Sequence, residues 1–182
     1  GNVTVIIHCY NRDKYAGKTI DIALSQTYPN IEIIAVNDGS TDSTGEVLKS
    51  YGTRIKVLEH PGRVNKGQSA AINLAMREAD GEYVAILDSD DLWHPDKIAR
   101  QVEFLEKNPD VGLVYANGYA IDENDDNLYE LYKPGHVETN EPEKVLLNCY
   151  LALPSSSLVR RAAFVAAGEF DETMRSAQDH DM

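Results

Sequence analysis

The chain has 182 residues, enough for one domain with a sizeable core, and 42% of them are apolar, which excludes wholesale disorder. Acids outnumber bases 30 to 17, and the formal net charge of −13 argues against a binder of duplex nucleic acid. No apolar run reaches the length of a membrane span and the N-terminus has no signal-peptide pattern, so the expectation is a cytoplasmic domain, at the inner face of the membrane if a longer parent chain is membrane-associated. The two cysteines, Cys9 and Cys149, form no CxxC or metal pattern and read as buried free thiols in a reducing compartment.

Strands and helices alternate along the first two thirds. The β-branched run Val3-Thr-Val-Ile-Ile-His8 predicts a strand, and Ile20, Ala23 and Leu24 recur at helical spacing in a helix from about Lys14 to Gln26. Ile31 to Val36 predicts a second strand, ended by Asn37-Asp38-Gly39-Ser40, with Thr41 or Ser43 placed to cap the next helix. Arg54 to Glu59 predicts a third, shorter strand, and Gln68 to Ala79 an amphipathic helix. The apolar run Val84 to Leu87 follows, then a helix started by Pro95 and ended before Pro109, then a strand from Val111 to Tyr115. Such alternation predicts a mainly parallel sheet with helices on both faces.

After Tyr119 the texture changes. Asp122-Glu-Asn-Asp-Asp-Asn127 reads as an acidic turn between two antiparallel strands, the second including Leu128 to Tyr132. A helix near Glu141 to Cys149, the strand Ser155-Ser-Ser-Leu-Val159 and a small Ala-rich helix are expected next. The last residues, Gln178-Asp-His-Asp-Met182, carry no cap or closing turn and read as a break inside an element.

The chemistry concentrates in Tyr83-Val-Ala-Ile-Leu-Asp-Ser-Asp-Asp-Leu-Trp93. A buried strand delivers Asp88, Asp90 and Asp91 to the edge of a sheet, where open α/β sheets bind ligands. Such carboxylates repel one another unless a cation shares them, and Mg²⁺ or Mn²⁺ takes oxygen ligands of this kind together with substrate phosphates. The competing reading is a solvated turn in which Asp91 or Asp96 caps the following helix.

Four features in order resemble the family 2 glycosyltransferases with the GT-A fold. They are the first strand running into Cys9-Tyr-Asn-Arg12; Val36-Asn-Asp-Gly-Ser-Thr-Asp42; Asn65-Lys-Gly-Gln-Ser-Ala-Ala-Ile-Asn73 with Ala79-Asp-Gly-Glu-Tyr83 and Asp88-Ser-Asp-Asp91; and Ser157-Leu-Val-Arg-Arg161 with Gly168-Glu-Phe-Asp-Glu172 and Gln178-Asp-His-Asp181. The resemblance spans almost the whole chain. It implies a single GT-A domain, its nucleotide-binding part at about 1–119 and its acceptor side, incomplete, at about 120–182. A mostly parallel central sheet with helices on both faces and a small antiparallel part is implied as well.

The resemblance further implies transfer of a sugar from a nucleotide-diphosphate sugar, a UDP-sugar above all, to a glycan, lipid-linked or other hydroxyl acceptor, with inversion. Asp90 is then the ligand of a divalent cation, Mg²⁺ or Mn²⁺, and Asp88 reaches the ribose and shares the metal, with Ser89 beside them. Tyr10 lines the base pocket with Asn11, and Asp38 accepts a hydrogen bond from the base. Lys66 is a candidate for base or phosphate contact, Arg63 a weaker one, and Gly67 supplies a backbone conformation that side chains disfavour. Asp179 is the implied catalytic base. The sequence departs from the family pattern at His8 and Cys9, where Pro or Thr and Thr or Ser are usual, and at Gln178, where Glu is usual. His8 reads either as a ring turned to the base pocket or as a satisfied strand-end histidine.

Two rival readings stand beside this one. A sugar-phosphate nucleotidyltransferase would place a Gly-rich loop directly after the first strand, where this chain has no glycine until Gly17. A non-catalytic module that binds a nucleotide sugar would keep the same fold.

Overall fold

The computed structural model describes residues 1–133 and 154–174. In chain order these form β1 (Val3–Cys9), α1 (Ala16–Leu24), β2 (Ile31–Asn37), α2 (Thr44–Ser50), β3 (Lys56–Glu59), α3 (Gln68–Arg77), β4 (Tyr83–Ile86), α4 (Lys97–Lys107), β5 (Leu113–Tyr115), β6 (Tyr119–Ile121), β7 (Asn127–Glu130), β8 (Ser157–Arg160) and α5 (Arg161–Ala167). The main sheet has the order β3-β2-β1-β4-β8-β5, and β6 and β7 make a separate antiparallel pair. Val3 of β1 lies opposite Ile31 of β2 and Tyr83 of β4, both in parallel register. β8 runs antiparallel to β4 and to β5, between which it is inserted.

The uninterrupted apolar character of β1, β2 and β4 follows from cover on both faces. Alternate residues point opposite ways. Val3, Val5, Ile7 and Cys9 therefore join Ile20, Leu48, Ile98 and Leu105 on one side, and Ile6, Ile34 and Ile86 meet Ala71, Ile72, Ala75 and Phe164 on the other. Cys9 is fully buried, as expected of it, whereas Cys149 lies outside the described residues.

Some boundaries moved. Ser43 precedes α2 but makes no capping bond; Asp42 takes that role, accepting a hydrogen bond from the Thr44 N–H at 3.0 Å. Asp96 precedes α4 without capping it, and its carboxylate accepts a hydrogen bond from Thr27 Oγ1 at 3.1 Å instead. The helix expected near Glu141–Cys149 lies outside the described residues. The insertion of β8 between β4 and β5 had no signature in the sequence, because a four-residue strand paired across about 75 positions leaves no local periodicity.

Two polar devices tie the distal segments to the sheet. Arg160 donates from Nε to the Val111 carbonyl at 2.8 Å and from Nη2 to the Leu105 carbonyl at 2.6 Å, joining the ends of β8, α4 and β5. Buried Asn73 on α3 donates from Nδ2 to the Phe170 carbonyl at 2.9 Å and accepts from the Phe170 N–H at 3.0 Å, which docks the Gly168–Glu172 segment.

Candidate functional site

Because β1, β2 and β4 are adjacent and parallel, their carboxyl ends emerge on one edge of the sheet. This edge brings together His8 to Arg12, Asn37 to Ser40 and Leu87 to Asp91, and the loop before α3 folds over it.

Asp38 organises the first half of the edge. Its side chain is fully buried, and its carboxylate accepts hydrogen bonds from the main-chain N–H groups of Lys66 at 2.8 Å and Gly67 at 2.9 Å and from Asn65 Nδ2 at 3.1 Å. His8 Nε2 lies 3.1 Å from its Oδ2, and His60 Nε2 lies 3.6 Å from its Oδ1. Burial holds the His60 pKa below its ordinary value, with Asp38 pulling the other way. The sequence assigned Asp38 to a hydrogen bond from the base; in this structure its oxygens are committed to the 65–67 loop and to His8. His8 thus has a hydrogen-bond partner at the end of β1, and part of its ring remains exposed.

Gly39 and Gly67 make this arrangement possible. Gly39 sits at φ +71°, and a Cβ there would stand 2.4 Å from the Asn65 main-chain nitrogen. Gly67, at φ +90°, starts α3 in a conformation that side chains rarely adopt. Asn11 is itself in the left-handed region at φ 52°, and its Oδ1 accepts from the Thr41 N–H at 2.9 Å, which links the first two loops. Tyr10 is 42% exposed, on the loop that follows β1. The side chains of Lys66 and Arg63 are exposed, and Arg63 pairs with Glu59 at 3.0 Å.

The acidic loop forms the second half. Asp88 is half-buried; burial and then the charges of Asp91 and Asp90 push its carboxyl up to about 6. Gln68 Nε2 donates to Asp88 Oδ1 at 2.9 Å from the first residue of α3. Asp91 is also raised, chiefly by burial. Asp90 points outward, 3.6 Å from the Arg12 guanidinium. Ser89 is buried, and its carbonyl accepts from Thr19 Oγ1 at 2.9 Å.

Among the described residues no three His, Cys, Asp or Glu side chains are grouped as a closed metal site. The donor set fits a cation held by one or two carboxylates together with substrate phosphates, which is the habit of Mg²⁺. Asp88 is a half-buried carboxylate with acids for neighbours, a charge a cation would relieve.

Residues 8, 10, 11, 38, 66, 67 and 88–90 therefore lie at one edge of the sheet. Asp179, with Gln178 and Asp181, lies outside the described residues. Sequence reasoning passed over Gln68, His60, Arg12 as a partner of Asp90, and Ser155, whose hydroxyl accepts from the Asp88 N–H at 2.9 Å. Gln68 sits one residue beyond Gly67 in a named motif and was within reach; Ser155 and His60 arrive from distant strands and were not. The tyrosine-bearing pair β6–β7 leaves Tyr129 exposed, while Tyr132 packs edge-on against Tyr115 with centroids 5.5 Å apart.

Comparison with known proteins follows the same outline. The family model described as "Glycosyl transferase family 2" matches residues 4–166. An uncharacterized glycosyltransferase of Rickettsia typhi is 37% identical over 191 residues, covering 99% of this chain and 57% of that protein. Glycosyltransferase GlyG of Streptococcus pneumoniae is 38% identical over 131 residues, covering 70% of this chain and 42% of its own length. This chain thus matches only about two fifths to three fifths of the length of these relatives. Among solved structures, Staphylococcus aureus TarS 1–349 in complex with UDP superposes with a TM-score of 0.73 at 23% identity, covering 99% of this chain and 53% of that one. The mannosyltransferase PcManGT of Pyrobaculum calidifontis, in complex with GDP-Man and Mn²⁺, gives 0.72 at 23% identity, covering 99% and 50%. These likenesses fix the fold as GT-A.

Proposed function

We propose that this chain, which belongs to glycosyl transferase family 2, forms the donor-binding part of an enzyme that moves a sugar from a nucleoside diphosphate to an acceptor hydroxyl with inversion. The observation that carries the reading is Asp88: a half-buried carboxylate beside Asp90 and Asp91, pushed up to about 6, at the carboxyl end of a parallel strand.

UDP is the favoured nucleotide, as in the TarS complex. The exposed Tyr10 can stack on a uracil ring. Asp38 shapes the base pocket through the 65–67 loop it holds, so its effect on the base is exerted by main-chain groups rather than by a free carboxylate edge. Asp90 and Asp88 would hold a divalent cation, Mg²⁺ or Mn²⁺, with Asp88 also near the ribose; when bound, the cation offsets the charge that grows on the departing diphosphate. Arg12, now paired with Asp90, is within reach of the same phosphates. Asp179 is the proposed base, taking the proton of the acceptor oxygen as it attacks the anomeric carbon.

UDP titrated with and without Mn²⁺ tests this reading. Tight binding that needs Mn²⁺ and is lost in Asp90→Ala is the expected result, with metal-free binding nearly unchanged by the substitution. Asp88→Ala is expected to weaken binding in both conditions. Binding indifferent to Mn²⁺, or an equal loss in EDTA for Asp90→Ala, overturns the metal assignment.

A further inference from the structure

The turn at Pro154–Ser156 and the start of β8 are held against the acidic loop by an ordered row of donors. Lys97 and Gln101 stand one turn apart on α4, and Trp93 lies in the loop that leads into it. All three are buried. Trp93 Nε1 donates to the Ser155 carbonyl at 2.7 Å, Gln101 Nε2 to the Ser156 carbonyl at 2.8 Å and Lys97 Nζ to the Ser157 carbonyl at 3.1 Å. The Lys97 ammonium also lies 4.0 Å above the Trp93 ring. Three consecutive carbonyls are thus taken by three side chains, two from α4 and one from the loop before it.

The hydroxyl of Ser155 is turned to the acidic loop. It accepts a hydrogen bond from the Asp88 main-chain N–H at 2.9 Å. A hydroxyl has one proton and two lone pairs, so it can satisfy that N–H and still turn its own proton to a neighbouring acceptor. Ser155 is only 4% exposed, which leaves it little freedom to do otherwise.

We infer that Ser155 is a positioning residue for the donor site: fixed by the Trp93–Lys97–Gln101 row, its hydroxyl sets the main chain at Asp88 and aims the acidic loop at the nucleotide-bound cation. The inference rests on the donor reading above and adds a residue that sits outside the acidic motif. Two mutually repelling carboxylates hold a common orientation when a neighbouring group fixes them, and such supporting contacts are worth about 10- to 100-fold in metal affinity.

The chain has a single tryptophan, Trp93, so its intrinsic fluorescence reports on this row directly. UDP is titrated into wild type and variants in Mn²⁺ and in EDTA. Ser155→Ala is expected to weaken binding in Mn²⁺ by about 10-fold and binding in EDTA by less than about 2-fold. Ser155→Thr and Ser155→Val form a second pair of nearly equal shape that differs in the hydroxyl, and only Thr is expected to keep metal-dependent affinity. Equal affinities for Thr and Val, or equal losses in Mn²⁺ and EDTA, overturn the inference. Wild type that binds no UDP in Mn²⁺ overturns the donor reading and this inference with it; wild type that binds while Val matches Thr overturns the inference alone.

Discussion

Burial and the neighbouring charges of Asp91 and Asp90 together push the Asp88 carboxyl up to about 6. A carboxyl that holds its proton more tightly in the folded chain than in the unfolded one makes the fold less stable as pH rises, between its unfolded value of about 4 and its folded value. In metal-free buffer the melting temperature of wild type is therefore expected to drop from about pH 4 to about pH 7 by more than that of Asp88→Asn. His60 acts in the opposite sense, since its lowered pKa contributes stability above its ordinary range that is lost on acidification, and the comparison with Asp88→Asn cancels it. Identical pH slopes in the two proteins would remove the buried-charge account. Cys9 gives a second check at this scale. Burial pushes its thiol up to about 12, so alkylation at neutral pH, followed on the Cys9 peptide, is expected to require unfolding.

At the scale of elements, the loop before α3 is locked from the β2 side. Gly39→Ala combines a left-handed backbone with a Cβ that would stand 2.4 Å from the Asn65 nitrogen. It is expected to destabilise the fold by roughly 2–4 kcal/mol, the sum of backbone strain and overpacking, measured by urea unfolding. A loss no larger than that of Gly52→Ala, whose Cβ would meet nothing within 4 Å, would mean the loop moves aside freely. Asp38→Ala is expected to leave the Lys66 and Gly67 N–H groups without their acceptor, at about 1–3 kcal/mol, and to erode the preference for UDP over other diphosphates. Unchanged discrimination with the stability loss present would confine Asp38 to a structural role. Asn73 locks the opposite face in the same way, through both main-chain groups of Phe170.

For the whole molecule, the sheet gathers the residues of the proposed donor site onto one edge, and the base proposed from the resemblance is Asp179. In the full-length enzyme Asp179→Asn is expected to lower sugar transfer by about 10²–10⁴-fold while UDP binding in Mn²⁺ stays near wild type. Asp181→Asn, two residues on, is the control; inactivity of that variant with a fully active Asp179→Asn would place the base two residues later. Among the described residues no helix is long and apolar enough to cross a membrane.

Much of this was legible in the sequence because it is local. Apolar runs of four to seven residues marked β1, β2 and β4, and the acids directly after β4 marked the ligand edge, since parallel adjacent strands end on the same side. Asp88, Asp90 and Asp91 could be named for that reason, whereas Tyr10 was named by the family resemblance, which rested on fragments of the same kind. Tertiary structure decided what depends on distant partners. It turned Asp38 inward onto the 65–67 loop, because a carboxylate buried beneath a loop takes the nearest unpaired N–H groups. It inserted β8 between β4 and β5, and so brought Ser155 to Asp88 from 67 residues away. Nothing in the spacing of a sequence records such a contact, since hydrogen bonds between remote segments are selected only once the sheet has chosen its strand order.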